Sequence, residues 1–237
     1  MAALYGPTPP GCDGSPLLPS GMSDAIKERT GLAAALRAHA AAGLGSPELE
    51  AAFRACTLPT GVRALTLAAE PLLTWWRPRQ VPWVAAAQVA LDRAREWSLE
   101  PDAGNSLRAL EAARASWDAG EQEDGPRSGE GWGAVKVVGG PQADYTRYRA
   151  VLHLCRAASL IAWVCGPLEE PLHRPRGRQR RDLFASALPR TAAAPLFDLG
   201  QAFAGRAYLE CAAEGDVSPR ALALEREALR FAADRLV

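Results

Sequence analysis

A chain of 237 residues is long enough for one large domain or two small ones, and it can bury a sizeable core. Lys+Arg and Asp+Glu are equal at 27 each, so no whole-chain field steers it toward nucleic acid or an anionic membrane, and such binding would need a local patch. The five cysteines are odd in number and lack Cys-x-x-Cys spacing, and no window reaches the ~18 uncharged apolar residues of a membrane span, which sets aside a disulfide scaffold and a transmembrane helix.

Residues 1–21 hold Pro7, Pro9, Pro10, Pro16 and Pro19 among four glycines, with neither a basic start nor a continuous apolar core. This composition predicts a disordered leader rather than a signal peptide, with Met22 a candidate biological start. Ser23 or Asp24 then caps a helix to about Ala42, with Ile26, Leu32 and Leu36 toward the core and Gly43 as its stop. Ser46-Pro47 marks the next start, because proline at the first helical position gives up an N–H that has no partner there anyway. Its apolar face is Leu49, Ala52, Phe53 and Cys56.

From about Thr60, a stripe of Val62, Leu65, Leu67, Ala68, Leu72 and Leu73 predicts another helix, with a bend at Pro71 and Trp75-Trp76 at its end. The run Trp75 to Arg79 reads in two ways. It is a ligand platform with arginines beside aromatic faces, or two large side chains closing a helix junction, one inward and one half exposed. Trp83, Val84, Ala87, Leu91, Ala94 and Trp97 recur at helical spacing, and after a break at 101–105 a second helix, Ser106 to Ala119, carries Leu107, Leu110, Ala113 and Trp117. Together they make a helical hairpin.

That hairpin, from Trp83 to Leu91 and from Leu107 to Glu121, resembles a segment of the all-helical immunity proteins of bacterial polymorphic-toxin systems. The likeness covers residues 83–121 and implies an all-helical, non-catalytic protein whose partner is a toxin. Beyond it, residues 120–142 are predicted to be the longest non-helical section: acidic at Glu121, Glu123, Asp124 and Glu130, glycine-rich around Trp132, and extended from Ala134 to Val138. The extended run either adds to a partner's sheet edge or lies across a groove between helices.

Asp144 to Cys165 predicts the central helix. Arg147 and Arg149 mark its polar start, every residue from Ala157 to Cys165 except Ser159 is apolar, and Gly166-Pro167 stops it, so its second half is expected to lie inside other helices. Next come Arg174, Arg176, Arg178, Arg180 and Arg181, the strongest local charge. They read as a contact for phosphate or an acidic protein surface, or as a solvated loop facing the acidic 121–130 run. No aromatic residue is interleaved with them, which argues against single-stranded nucleic acid. Asp182 opens a short helix to Leu188. Leu196, Leu199, Phe203, Ala207 and Cys211 mark another, in which Gly200 and Ala204 leave a flat strip for the 144–165 helix. Ser218-Pro219 repeats the serine-proline start, and Glu225, Arg226, Glu227 and Arg230 read as the solvated face of the last helix.

As general bases the chain offers His39, His153 and His173. His153 and Cys155 point about 200° apart around a helix and cannot share a metal. His-x-x-x-His, phosphate-loop and Gly-x-Ser-x-Gly patterns do not occur. The expectation is one all-α domain over residues 22–237, an irregular bundle of eight or nine helices around the 144–165 helix. It is expected to be cytoplasmic, with no membrane segment and no cofactor, metal or catalytic residue assigned. The expected partner is another protein, met through segments 120–142 and 167–181 with Trp132, Arg174, Arg176, Arg178, Arg180 and Arg181 as contacts. The alternatives are an enzyme whose site is assembled from scattered residues, with His153, Arg147 and a carboxylate together, or a nucleic-acid binder using the arginine run.

Overall fold

A computed structural model of the chain describes residues 20–79, 81–128, 141–166, 193–211 and 216–237. Residues 1–19 of the proline-rich leader, the extended 134–138 run and the 182–188 helix lie outside these residues, whereas Ser20 and Gly21, read as leader, and Ser23 and Asp24, read as the cap, fall inside the first helix. The described residues form an all-α fold of eight helices with no strand: α1 (Ser20–His39), α2 (Pro47–Ala55), α3 (Leu58–Trp76), α4 (Pro82–Leu99), α5 (Ala103–Ser128), α6 (Pro141–Trp163), α7 (Ala193–Cys211) and α8 (Ser218–Leu236). None of them is long and apolar enough to cross a membrane.

Local chemistry sets several boundaries. A 3-10 turn at Ala40–Ala42 carries the chain from α1 into Gly43, whose φ of 77° is the left-handed geometry that favours glycine. Ser46 caps α2, its hydroxyl accepting the Leu49 N–H at 3.3 Å, with Pro47 at the start. The α4–α5 turn is held by Asp102, which accepts the Asn105 N–H at 2.7 Å, while the Asn105 amide donates back to the Glu100 carbonyl at 2.8 Å. Trp97 then ties the two helices of the hairpin, its indole N–H reaching Ser106 Oγ at 2.9 Å. At α8 the serine-proline reading is corrected. Ser218 is the first helical residue, and Asp216 accepts its N–H at 2.9 Å.

Burial is shared by two helices. α6 packs on α3, α4, α5 and α7, and α3 packs on α4, α6, α7 and α8. Ala150, Val151, Leu152, Leu154 and Cys155 are buried in the middle of α6, and from its second half into the turn after it Ala157, Ala158, Ser159, Ile161, Ala162 and Cys165 are buried, while Leu160, Trp163 and Val164 are half-buried against the core. In α3, Val62 through Trp76 supply a stripe that includes the fully enclosed Leu72 and Trp76. Trp75 stands half exposed beside Trp76, edge to face with ring centres 4.6 Å apart. This is the inward and half-exposed pair of a helix junction.

Two glycines do work that the sequence patterns misassign. A Cβ on Gly205 would lie 2.5 Å from Ala150 Cβ and 3.1 Å from Ala150 Cα, so the close α6–α7 approach is made there rather than at Gly200, which faces Glu225 of α8. Gly120 does not end α5. A Cβ there would sit 3.2 Å from Leu152 and 3.3 Å from Cys155, so it lets α5 lie close to α6 while the helix runs on to Ser128. Residues 120–128, and likewise 141–142 at the start of α6, are therefore helical where a non-helical section was expected. Leu107 and Ile26, both expected in the core, are exposed.

Candidate functional site

The Gly205–Ala150 contact brings α6 and α7 close enough for a polar pair to form between them. His153, one turn beyond Ala150, meets Asp198 of α7, with Nδ1 2.7 Å from Oδ1 and side chains only 7% and 12% exposed. A carboxylate at that distance requires a proton on Nδ1, which fixes the plane of the ring and directs Nε2 the other way. There Arg149, one turn earlier on α6, places Nη2 3.5 Å from Nε2. Phe197, beside Asp198, is 63% exposed and stands edge-on to the imidazole with centroids 6.4 Å apart. The pair thus lies just inside a surface that carries one cationic and one aromatic side chain. Of the trio that would mark an assembled site, the structure brings His153 to a carboxylate, and the arginine at the ring is Arg149, whereas Arg147 is exposed a turn and a half earlier.

A second cluster closes the ends of α3, α7 and α8. The Arg79 guanidinium lies 3.6 Å from the centre of the Trp75 ring and that of Arg206 5.4 Å from it. Arg206 Nε donates to Glu210 Oε1 at 2.7 Å, and Arg220 Nη2 donates to the other oxygen of the same carboxylate at 2.7 Å. Burial acts to raise the pKa of Glu210, but these two hydrogen bonds outweigh it and hold the carboxyl below its ordinary value. Every charge in this group is engaged in fastening α7 to α8 or in covering Trp75. The Trp75 to Arg79 run is a structural junction with a stacked arginine.

The supposed solvated face of α8 also has a task. Glu225 Oε2 accepts the Leu44 N–H at 2.8 Å, and Arg226 Nη2 donates to the Ala41 carbonyl at 2.8 Å. Burial pushes the Glu225 pKa up, opposed by the Leu44 hydrogen bond. Arg37 of α1 pairs with Asp234 at 2.9 Å further along.

The thiols behave as buried apolar groups. Burial pushes Cys155 up to about 12 against a hydrogen bond from Ser116, Cys165 is raised by burial alone, and Cys56 is pushed up to about 11. Cys155 Sγ faces the Trp83 carbonyl of α4 while His153 faces α7, the divergence expected from their spacing. Among the described residues no three His, Cys, Asp or Glu side chains converge as metal ligands would. Trp132, Arg174, Arg176, Arg178, Arg180, Arg181 and His173 lie outside the described residues.

Asp198 escaped the sequence reading, although a signal for it exists. It sits one turn before the buried Ala202 and beside the buried Leu199, and a carboxylate on a core-facing stripe calls for a partner. No protein-family model, curated protein or solved structure matches this chain.

Proposed function

We propose that the chain is a non-catalytic helical protein that acts in the cytoplasm by binding another protein, in the manner of the immunity proteins its hairpin resembles. The observation that supports this reading is the surface of the α4–α5 hairpin. Val89, Leu99 and Leu107 are 50%, 64% and 53% exposed. The Trp97–Ser106 bond sets the end of α4 beside the start of α5, so Leu99 and Leu107 flank one junction. Leu99 and Leu107, two large apolar side chains at one hairpin tip, suit the centre of a protein contact better than free solvent, with Val89 exposed further back along α4. The arginine run and Trp132 are the proposed charged and aromatic complements to that apolar centre.

The test is capture of partners by tagged chain from the native organism, run in parallel with Leu99→Glu/Leu107→Glu and with charge reversal at Arg178, Arg180 and Arg181. A partner held by the native chain and lost from either variant, with helicity unchanged, supports the reading. Retention of every captured protein by both variants removes these surfaces from the account. Rescue of growth against a toxin encoded alongside would support the immunity assignment specifically. A second reading, an enzyme assembled from separate helices, draws on the His153–Asp198 pair, which is of the kind that orients a catalytic imidazole.

A further inference from the structure

We propose, building on the protein-binding reading, that one end of the bundle, where α1, the start of α3 and the α4–α5 tip meet, docks an acidic segment of a partner protein that also carries an apolar face. Three contacts set these elements side by side. Glu28 of α1 accepts the Thr57 N–H at the start of α3, Arg95 of α4 donates to Glu70 of α3 at 3.0 Å, and the Trp97–Ser106 bond joins α4 to α5. Ile26 in α1, Leu58 at the start of α3, and Leu99 and Leu107 at the hairpin tip are all exposed, so each of the four helices brings a large apolar side chain to this end. Such a gathering is a patch, whereas single exposed apolar residues are ordinary surface.

Cations stand among these side chains. Arg63 of α3 is half-buried, and its pKa is held below the ordinary value first by burial and then by the charges of Arg29 and Arg95, so guanidinium groups from three helices gather here. Arg95 is answered by Glu70. Among the described residues no hydrogen bond or ion pair engages Arg29 or Arg63, and Glu28, next to Arg29 in the chain, already accepts the Thr57 N–H. Arg29 lies three residues after Ile26 and Arg95 four before Leu99, so on both helices a cation shares its face with an exposed apolar side chain. Unanswered arginines beside apolar groups complement the carboxylates of an amphipathic segment, which a guanidinium grips through two parallel hydrogen bonds. The competing occupants fit worse. A second copy meeting this end across a two-fold axis sets arginine against arginine. Residues 1–19 hold one acidic residue, Asp13, and Glu121 lies ~21 Å further along α5 than Leu107.

The experiment uses the full chain and defined probes. A labelled helical peptide of ~18 residues, with leucine on one face and glutamate on its flanks, is titrated with the chain by fluorescence anisotropy. Beside it run a version with glutamine for glutamate, one with alanine for leucine, and a single-stranded oligonucleotide. The glutamate–leucine peptide is expected to bind tightest, to weaken with sodium chloride, and to shift the backbone amide resonances of residues 26–29, 58–63 and 95–107. Arg29→Gln with Arg63→Gln should weaken it about two- to thirtyfold, the worth of two exposed ion pairs, and Ile26→Ser with Leu99→Ser should weaken it as well. Arg63→Gln should leave Tm unchanged or raise it, because it removes a half-buried charge that faces two others; an arginine kept for the fold would lower Tm on removal. If the glutamine peptide binds as tightly, or if the double arginine variant binds as the native chain does, the docking face is refuted. An oligonucleotide that displaces the peptide gives this end to nucleic acid, and a dimer dissociated by Leu99→Ser gives it to a second copy; either result overturns the proposal. Failure of every peptide, while a captured partner is still lost with Leu99→Glu/Leu107→Glu, ends the proposal and leaves the protein-binding reading standing.

Discussion

Replacing Gly205 with alanine sets two effects against each other at the α6–α7 contact. In an open helix the change stabilises by ~1 kcal/mol through helix propensity. Gly31 of α1, where an added Cβ meets nothing within 4 Å, supplies that reference within the same chain. At Gly205 the new methyl would stand 2.5 Å from Ala150 Cβ, where carbon atoms prefer ~3.5–4.0 Å, so the helices must part by about 1 Å. Overpacking of this kind costs ~1–3 kcal/mol. Gly205→Ala is therefore expected to range from neutral to ~2 kcal/mol destabilising, while Gly31→Ala stabilises. Urea unfolding followed by circular dichroism measures both. Adding Ala150→Gly moves the methyl from one helix to the other and should return Gly205→Ala to within about 1 kcal/mol of the native chain, a coupling that independent sites do not show. If Gly205→Ala stabilises as much as Gly31→Ala, or if the double variant is the plain sum of the singles, the close approach of these helices is wrong.

Glu210→Ala leaves Arg206, with a side chain only 15% exposed, without its carboxylate, and frees Arg220. The expected loss is about 2 kcal/mol, between the ~0.2–1 kcal/mol of an exposed pair and the ~3–5 kcal/mol of a buried one, read from the same urea midpoints. Glu225 has a folded pKa raised by burial, so its contribution to stability is full below the ordinary carboxylate value of 4.5 and is lost as pH rises through the raised folded value. Glu225→Gln keeps an acceptor for the Leu44 N–H and should flatten that decline, making the variant gain on the native chain between pH 4 and pH 7; a constant difference across that range would remove burial as the cause.

How much of this was legible follows from how local each signal is. Helix number, the Ser46-Pro47 start and the Gly43 stop depend on residues within one or two turns, and periodicity carries them. Glycine is ambiguous for the same reason. Gly120 and Gly43 look alike in sequence, yet one accommodates Leu152 across an interface and the other a left-handed turn. Partners far apart in the chain are invisible to spacing. Asp198 is 45 residues from His153, and Glu225 is 181 from Leu44, so no spacing joined the buried pair, and the clasp residue Glu225 read as ordinary surface charge. Leu107 shows the converse, since it fits the apolar period but points away from the core.

The clasp of α8 on the 41–44 turn has a bearing on how the protein is made. α1 and α3 both rest on α8, so during synthesis the apolar strips they turn toward it wait uncovered for about 180 residues after α1 and about 140 after α3. Closing such a long loop delays the final collapse and leaves the nascent chain with open grease in the meantime. Stalling translation just before Asp216 should therefore give a species that binds chaperones and hydrophobic dyes, and release of the last helix should quench both.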